Sequence, residues 1–295
     1  MTKTAFIAIV GCPNVGKSSL LNRMLGQKIA IVSSKPQTTR TKIMGVLTTG
    51  ETQLVFTDTP GYHKPHNKLG EKMNEAVGDS IGGVDACLFV VESKGELKKG
   101  ELELLEKFKK IKVPVILAIN KIDMIKDKED LLNRIIDMSK LFDFEAIVPV
   151  CATNGDGVDE LLDEMDKLAF ESPHFFPDDT LTDQPERVLA AEMVREKILR
   201  LMDKEIPHGV AVSIEKMRER ENQDILDIEA IIYCERESHK GMIIGKKGSM
   251  LKKISTYARQ DLESFFQIKV NLQTWVKVKE DWRNREGLIH NFGLD

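Results

Sequence analysis

Gly-Cys-Pro-Asn-Val-Gly-Lys-Ser occupies Gly11–Ser18, after the apolar run 5–10 and before a segment whose leucines recur at helical spacing. Strand, glycine loop and helix follow one another in the order of a phosphate-binding loop. Backbone N–H groups and the positive end of the helix dipole stabilise phosphate oxygens, Lys17 reaches the β- and γ-phosphates, and Ser18 offers a hydroxyl to Mg²⁺. The stretch therefore predicts a nucleotide site. A glycine turn without a ligand is the alternative.

Two later segments are suited to detect a terminal phosphate. Ser33–Lys42 is hydrophilic and rich in hydroxyls, which predicts a loop that can move. Asp58 follows a predicted strand, and Gly61 lies three residues further on, which suits a carboxylate that reaches Mg²⁺ through water and an N–H near a γ-phosphate. We expect Thr39 to complete the Mg²⁺ shell when the γ-phosphate is present, with Thr38 as the alternative. Loss of that phosphate would release both loops.

The motif Asn120-Lys121-Ile122-Asp123 follows a predicted buried strand and indicates which base is bound. Guanine presents N1–H and N2–H₂ as donors, which the Asp123 carboxylate accepts, whereas adenine has an acceptor at N1. Asn120 can donate toward N7 and O6, and the Lys121 stem covers the ring. The motif therefore favours guanine, with a solvated turn as the alternative.

Length and composition indicate a protein of two ordinary globular domains. The chain has 295 residues, of which 41% are hydrophobic and 31% charged, with a formal net charge of −4. Its four cysteines form no C-x-x-C pair, so we expect free thiols in a reducing cytosol. Apolar runs fall far short of the roughly 20 residues that a membrane span needs, and the first residues lead into a strand without a signal peptide.

Strands and helices are predicted to alternate in the first 172 residues, which favours an α/β domain with a mostly parallel sheet. Predicted strands cover 43–49, 53–57, 86–91, 113–119 and 146–150, and predicted helices cover 71–81, 100–110, 128–141 and 158–168. Three prolines interrupt helical periodicity between Ser172 and Pro185. We therefore predict a nucleotide-binding domain over 1–172, a linker over 173–186, a second domain over 187–282 and a tail over 283–295.

The second domain is predicted to run helix (187–202), strand (209–216), strand (225–234), Gly-x-x-Gly, helix and strand (268–278), the order of an α+β type II KH fold. Gly245–Gly248 offers closely approachable backbone and a helix start, by which KH domains clamp about four nucleotides of single-stranded RNA. From Lys240 to Arg285 there are eleven basic residues and four acidic ones. This imbalance is typical of a phosphate-binding face. A solvated face is the alternative.

Some aromatic, histidine and cysteine residues are given structural roles. Trp275 and Trp282 could stack on bases, but we expect them to pack in the core or against the tail. His63 and His66 have no matching ligands nearby in the sequence, so we expect them to face solvent rather than bind a metal. Inert packing is the default expectation for Cys12.

The full chain resembles the Era family, in which a GTPase domain is joined to an RNA-binding KH domain. The resemblance is carried by Gly11–Ser18, Pro36-Gln37-Thr38-Thr39-Arg40, Asp58–Gly61, Asn120–Asp123 and Ile243–Gly248. The guanine-loop signature, usually Ser-Ala, reads Cys151-Ala152, so the Ala152 N–H contact is retained and the part played by the Cys151 side chain is open.

The resemblance implies roles for individual residues. Lys17, Asn14, Thr39 and Gly61 are expected to act in hydrolysis, and Ser18, Thr39 and Asp58 to bind Mg²⁺. The nucleotide is expected to contact Gly11, Cys12, Pro13, Asn14, Val15, Gly16, Lys17, Ser18, Asp58, Thr59, Pro60, Gly61, Tyr62, Asn120, Lys121, Ile122, Asp123, Cys151 and Ala152. RNA is expected to contact Ile243, Ile244, Gly245, Lys246, Lys247, Gly248, Lys252 and Lys253, with Ile243 and Ile244 as the floor of the base groove.

The resemblance also implies an activity and partners. Tyr62 stands where many GTPases have a water-orienting glutamine, so we expect slow hydrolysis of GTP to GDP. Asn14 would help to hold K⁺ near the phosphates, unless it merely shapes the loop. The implied partner of a monomeric protein is the 3′ end of 16S rRNA in the small (30S) ribosomal subunit, during subunit assembly. The implied location is the cytoplasm. Family members also associate peripherally with the inner face of the cell membrane, which the basic face of the second domain would permit.

Three other classes of protein share some of these sequence features. A tandem double GTPase would need a second phosphate loop, which the sequence lacks, and a tRNA-modifying GTPase would be expected to end in a reactive cysteine motif, whereas this chain ends Phe292-Gly-Leu-Asp295. A passive RNA-binding protein with a scaffold nucleotide domain is the rival from another class. Phosphate release measured with and without RNA separates it from a GTPase.

Asp123→Asn should shift nucleotide preference from GTP toward xanthosine triphosphate, because the amide donates where the carboxylate accepted. Competition binding with the two nucleotides measures this. Retained GTP specificity would overturn the assignment of Asp123 to base recognition.

Overall fold

Buried parallel strands form the centre of the first unit of the chain. The computed structural model describes residues 1–35, 37–62, 67–81, 83–111, 113–203 and 206–294. One compact unit contains the described residues within Met1–Ala30, Thr39–Pro65 and Glu71–Asp183, and the other those within Ile31–Thr38, His66–Gly70 and Gln184–Asp295. Each unit has an apolar core of its own.

The first unit is a sheet with helices, and its strands follow the order β2-β3-β1-β4-β5-β6, with β7 paired to β1. Its strands are β1 (Lys3–Val10), β2 (Ile43–Thr49), β3 (Thr52–Asp58), β4 (Ala86–Glu92), β5 (Val115–Asn120), β6 (Ala146–Pro149) and β7 (Phe170–Glu171). Its helices are α1 (Lys17–Leu25), α2 (Lys68–Ile81), α3 (Lys99–Phe108), α4 (Lys128–Ser139) and α5 (Val158–Asp166). The pairs β1–β3, β1–β4, β4–β5 and β5–β6 are parallel, and β2–β3 is antiparallel. The predicted mostly parallel sheet is confirmed.

Burial on both faces explains why the central strands are almost continuously apolar. All six residues of β5 are buried. On β1, Ile7 and Ile9 belong to one apolar cluster, while Ala8 and Val10 belong to another. Since parallel strands point the same way, the segments after β1, β3 and β5 emerge at the same edge of the sheet, where ligands of such folds bind.

The second unit has a three-stranded sheet of order β10-β9-β8. Its elements are α6 (Glu186–Leu201), β8 (Ala211–Glu219), β9 (Ile225–Cys234), α7 (Glu237–Ile244), α8 (Ser249–Phe266), β10 (Lys269–Val278) and α9 (Glu286–Asn291). Strands β8 and β9 are antiparallel, and β9 and β10 are parallel. The predicted KH order is confirmed, but α7 and α9 were not predicted. Both are short and contain a glycine, so neither shows a helical repeat.

The segment predicted as a linker packs largely on the first unit. Its residues up to 183 group with that unit. The Val46 N–H of the edge strand β2 donates to the Leu181 carbonyl at 2.9 Å, and Thr182 Oγ1 donates to the Met44 carbonyl at 2.6 Å. The ring of Phe175 meets Phe6 edge-on, with centroids 5.1 Å apart. The prolines prevent a helix there, but they leave the segment able to cover a sheet edge.

The segment predicted as a tail is also folded. Ile289 of α9 is buried, and Phe292 packs against both Trp282 and Tyr233. Trp282 is fully buried, and its Nε1 donates to the Gly209 carbonyl at 2.9 Å. The expectation of packing is therefore confirmed for Trp282. It is wrong for Trp275, which is 44% exposed on the edge strand β10.

All four cysteines are free, as expected, and all four are buried. No helix in the described part of the chain is long and apolar enough to cross a bilayer.

Candidate nucleotide-binding and RNA-binding sites

The phosphate loop lies between β1 and α1, and its lysine is turned inward. Lys17 is only 6% exposed, and its Nζ donates to the carbonyls of Gly11 and Cys12, both at 3.1 Å. Gly16 has a φ of +101°, and a Cβ there would lie 2.1 Å from Asn120 Nδ2. Only glycine fits this position. The loop is thus closed around Lys17 and braced against the base-recognition motif.

A cluster of oxygen atoms stands beside the loop. Ser18 Oγ donates to Asp58 Oδ2 at 2.5 Å and lies 2.8 Å from Thr39 Oγ1. Asp58 Oδ1 is buried and has no hydrogen-bond partner among the described residues. Two hydroxyls and a carboxylate are oxygen ligands of the kind that Mg²⁺ prefers. The structure therefore brings together the three residues that the sequence proposed as metal ligands.

The two candidate threonines occupy different positions. Thr38 Oγ1 donates to the Lys35 carbonyl at 2.6 Å and lies 2.8 Å from Ser33 Oγ, so its hydroxyl is engaged within its own loop. Thr39 Oγ1 faces Ser18 instead. The geometry therefore favours Thr39 over Thr38 as the Mg²⁺ ligand.

Burial shifts the pKa values of both charged groups at this place. It raises the pKa of Asp58 to about 6, although the neighbouring Lys17 charge and the Ser18 hydrogen bond act in the opposite direction. Burial also lowers the pKa of Lys17, against the attraction of Asp58. Both ions lie in a medium of low dielectric, where the approach of a phosphate or a cation is strongly favoured. Burial likewise raises the pKa of Cys12 to about 11, which keeps the thiol protonated and agrees with a packing role.

The segment after β3 lies directly on the phosphate loop. A Cβ on Gly61 would come within 2.7 Å of Pro13 Cα, and the Tyr62 N–H donates to the Gly11 carbonyl at 3.2 Å. The Tyr62 ring lies 4.5 Å from Lys107 Nζ on α3. Tyr62 therefore packs against a helix of its own unit. Pro36, His63 and His66 lie outside the described residues.

The base-recognition motif is tied to both neighbouring loops. Asn120 Nδ2 donates to the Val15 carbonyl at 2.8 Å, and Asn120 Oδ1 accepts from the Ala152 N–H at 3.1 Å. Lys121 Nζ donates to the Asn14 carbonyl at 2.7 Å and pairs with Glu92. The Ala152 N–H, expected to serve the base directly, is thus engaged with Asn120.

Sequence reasoning left the part played by the Cys151 side chain open. Its Sγ donates to Asp123 Oδ1 at 3.1 Å. A thiol is a weaker donor than the usual serine hydroxyl, but it occupies the same place in the chain. Cys151 therefore orients the carboxylate that was assigned to the base.

The Gly-x-x-Gly loop of the second unit has the strained backbone that its glycines allow. The φ angles of Gly245, Lys247 and Gly248 are +72°, +51° and +77°. A Cβ at Gly245 would lie 2.7 Å from Met250 Cβ. The side chains of Lys246 and Lys247 are exposed, as are those of Lys252 and Lys253 on α8. A cationic rim therefore surrounds closely approachable backbone.

The expected floor of the base groove is only partly at the surface. Ile243 is fully buried in the core of the second unit, so it supports the loop from below and does not face a ligand. Ile244 is half-buried. The placement of Ile243 in contact with bases is therefore corrected.

Comparison with known proteins assigns both halves of the chain. The family described as "50S ribosome-binding GTPase" matches residues 6–121, and the family described as "KH domain" matches residues 205–283. The protein named GTPase Era of Clostridioides difficile is 50% identical, with 100% of this chain and 99% of that protein covered. The chain belongs to the Era family of GTPases. The Era protein of Clostridium tetani is 47% identical over 99% of both chains.

Two solved Era structures match nearly the whole chain at 40% identity and a TM-score of 0.95. One is a variant of Aquifex aeolicus Era bound to GDP·AlF4⁻, which covers 99% of both chains. The other is Era in complex with MgGDPNP and nucleotides 1506–1542 of 16S ribosomal RNA, which covers 100% of this chain and 99% of that one. The expected family, fold class and GTPase activity are confirmed.

The raised pKa of Asp58 should give the first unit a distinctive pH dependence. Between about pH 4 and pH 6 the folded protein holds a proton that the unfolded chain has released, so this stabilising contribution is present below pH 4 and lost as pH rises through 6. In the absence of nucleotide, the unfolding free energy of the wild type should fall by about 2 kcal/mol relative to Asp58→Asn between pH 4 and pH 7. Urea unfolding of both proteins across that range measures the difference. A difference that stays constant with pH would contradict the assignment.

Proposed function

We propose that the first unit of this Era-family GTPase binds Mg²⁺·GTP and hydrolyses it slowly, and that the bound nucleotide controls how the second unit binds single-stranded RNA. The convergence of Ser18, Thr39 and Asp58 beside the buried Lys17 carries this proposal. Thr39 would join the metal shell only while the γ-phosphate is present, so the residues around it would sense that phosphate.

Each group at the phosphate end would have its own task. Ser18 and Thr39 would bind the metal ion directly, and Asp58 would hold it through a water molecule. Mg²⁺ would neutralise charge on the β- and γ-phosphates while Lys17 moves from its two carbonyl partners to phosphate oxygens. The Gly61 N–H, close to Pro13, would face the γ-phosphate. At the other end, Asp123, oriented by Cys151, would accept from guanine N1–H and N2–H₂.

We propose that hydrolysis depends on K⁺, because no glutamine stands after Gly61 to orient water. Asn14 lies in the phosphate loop with a φ of +67°, and its carbonyl accepts from Lys121 Nζ. A monovalent cation there would supply the positive charge that an arginine finger supplies in other GTPases.

Steady-state phosphate release should therefore be at least several-fold faster in KCl than in NaCl at equal ionic strength, and Asn14→Ala should remove the difference. Equal wild-type rates in the two salts would exclude a K⁺ site and leave Asn14 as a residue that shapes the loop.

We propose the 3′ end of small-subunit ribosomal RNA as the RNA partner and assembly of the 30S subunit as the setting. The similar Era structure with nucleotides 1506–1542 of 16S ribosomal RNA supports the choice, together with the exposed lysines around Gly245–Gly248. We further propose that the protein acts as a cytoplasmic monomer. Its basic face would also allow peripheral binding to the anionic inner face of the cell membrane.

Replacing Lys246 and Lys247 together by Asp should weaken RNA binding at least tenfold and reduce its salt dependence, since two phosphate contacts are lost. Phosphate release without RNA should remain near the wild-type rate. Lys109 and Lys110 replaced together by Asp provide the matched control, because both are exposed lysines on the first unit. Filter binding of a 16S 3′-end RNA and a phosphate assay make the two measurements. Equal RNA affinity of the two double variants would overturn the assigned RNA face.

A further inference from the structure

Helix α6 contains three consecutive charged residues that are buried. Arg195 is 1% exposed, Glu196 0% and Lys197 5%. Burying charges costs several kcal/mol per ion unless partners compensate for the lost water. Three such residues in a row also depart from the apolar stripe of an ordinary core helix. The hydrogen-bond partners of these charged residues therefore identify the segment that α6 binds.

Within the second unit, α6 binds the backbone of residue Val32 on both sides. Glu196 Oε1 accepts from the Val32 N–H at 2.9 Å, and Arg200 Nε donates to the Val32 carbonyl at 3.1 Å. Glu196 Oε1 also accepts from Arg200 Nη2 at 3.0 Å. Glu196 and Arg200 therefore satisfy the N–H and the carbonyl of Val32, which a neighbouring strand would satisfy in a sheet.

Arg195 binds the other end of the same segment. Its guanidinium forms two hydrogen bonds to the Glu192 carboxylate, at 2.7 and 2.6 Å, and a further one to the Thr38 carbonyl. Lys35 Nζ, between the two ends, pairs with Asp203 Oδ1 at 2.6 Å. Val32 and Thr38 are therefore both fixed to α6 by charge-assisted hydrogen bonds, which are the stronger kind.

The segment is also closed on itself. Lys35 N–H donates to Ser33 Oγ at 3.1 Å, and Ser33 Oγ lies 2.8 Å from Thr38 Oγ1, which donates to the Lys35 carbonyl. The next residue along the chain is Thr39, whose Oγ1 faces Ser18 Oγ at 2.8 Å. Because adjacent Cα atoms are about 3.8 Å apart, the position of Thr38 limits the positions that the Thr39 Cα can take.

We infer that Arg195, Glu196 and Arg200 are positioning residues for Thr39, which hold it where it can ligate Mg²⁺ and respond to the γ-phosphate. This inference rests on the proposed function. The three residues are hereafter called the α6 anchor. These residues would act without binding metal or nucleotide. By holding the residue next to Thr39, they would reduce the conformational entropy that this loop loses when Mg²⁺·GTP binds.

The α6 anchor is connected to the helix that starts at the RNA loop. Lys197 Nζ bonds Glu196 Oε2 at 3.0 Å and pairs with Asp261 on α8, which begins right after Gly248. The helix that carries the Gly-x-x-Gly loop at its start therefore packs on the helix that holds Thr38. If RNA stabilises the anchored arrangement, linkage requires that Mg²⁺·GTP strengthen RNA binding by the same factor.

The experiment compares affinities for GDP and for a nonhydrolysable GTP analogue, both with Mg²⁺. Arg195→Lys keeps the positive charge beside Glu192 but loses the planar fork that also reaches Thr38. Arg200→Gln acts at a half-exposed site, so it is less disruptive to folding. Arg187→Gln is the matched control, since Arg187 is exposed on the first turn of the same helix.

We expect Arg195→Lys to weaken analogue binding about tenfold, equivalent to about 1.4 kcal/mol, and to leave the GDP affinity within about twofold. Arg200→Gln should act in the same direction with a smaller effect, and Arg187→Gln should change neither affinity. Only the affinity for the analogue is expected to fall, because Thr39 would ligate Mg²⁺ only when a γ-phosphate is bound. A purely structural role of the anchor would weaken both nucleotides equally, and that result, or no change in either, overturns the inference.

Thr39→Ala separates this inference from the function on which it rests. If Thr39→Ala loses the analogue preference and both anchor variants retain it, the anchor inference fails while the metal assignment stands. If Thr39→Ala itself retains the preference, the assignment of Thr39 in the proposed function fails. Circular dichroism and urea unfolding of each variant establish that a selective loss is not a loss of folded protein.

Discussion

The burial of two opposite charges at the carboxyl edge of a parallel sheet is the constraint on which the nucleotide site depends. Lys17 begins the helix after the phosphate loop, Asp58 is the last residue of β3, and both are buried. Burial alone opposes each charge, as the raised pKa of Asp58 and the lowered pKa of Lys17 show. A buried pair of this kind adds little to stability but defines one arrangement of the surrounding backbone. That arrangement favours a ligand that brings phosphate groups to the Lys17 charge and a cation to the Asp58 carboxylate.

Local chemistry made the ligand-facing part of the chain predictable. A phosphate loop needs glycine where the backbone approaches other atoms closely, and the contact of Gly16 with Asn120 shows this need directly. The parallel sheet followed from apolar runs that alternate with helical periods, because strands buried on both faces have no polar alternation. The KH order followed in the same way from the second half of the chain.

What the sequence did not predict depends on contacts between residues far apart. Trp275 is exposed because side chains alternate along β10: Val270, Leu272, Val276 and Val278 pack in or against the core, and Trp275 lies on the opposite face of the sheet. Which face is covered depends on α8, which packs on β10. Residues 173–183 cover the edge of β2, although their prolines resemble those of a free linker. Cys151 meets Asp123 only after the two loops fold together. The charges of α6 look like a solvated face until the 31–38 segment is packed against them.

The chain passes from one unit to the other between Thr38 and Thr39. Residues 31–38 group with the RNA-binding unit, whereas Thr39 groups with the nucleotide-binding unit. In the proposed coupling, the hydrogen bonds from α6 to Val32 and Thr38 would act on Thr39 through the covalent chain. In this mechanism, the presence or absence of the γ-phosphate would set the affinity of the protein for RNA.

The most direct test is isothermal titration of the full-length protein with a 16S 3′-end RNA, once saturated with Mg²⁺ and a nonhydrolysable GTP analogue and once with Mg²⁺ and GDP. The account predicts that RNA binds at least fivefold more tightly to the analogue-loaded protein, about 1 kcal/mol, which lies within the usual range of coupling energies. Equal RNA affinity in the two nucleotide states would contradict it.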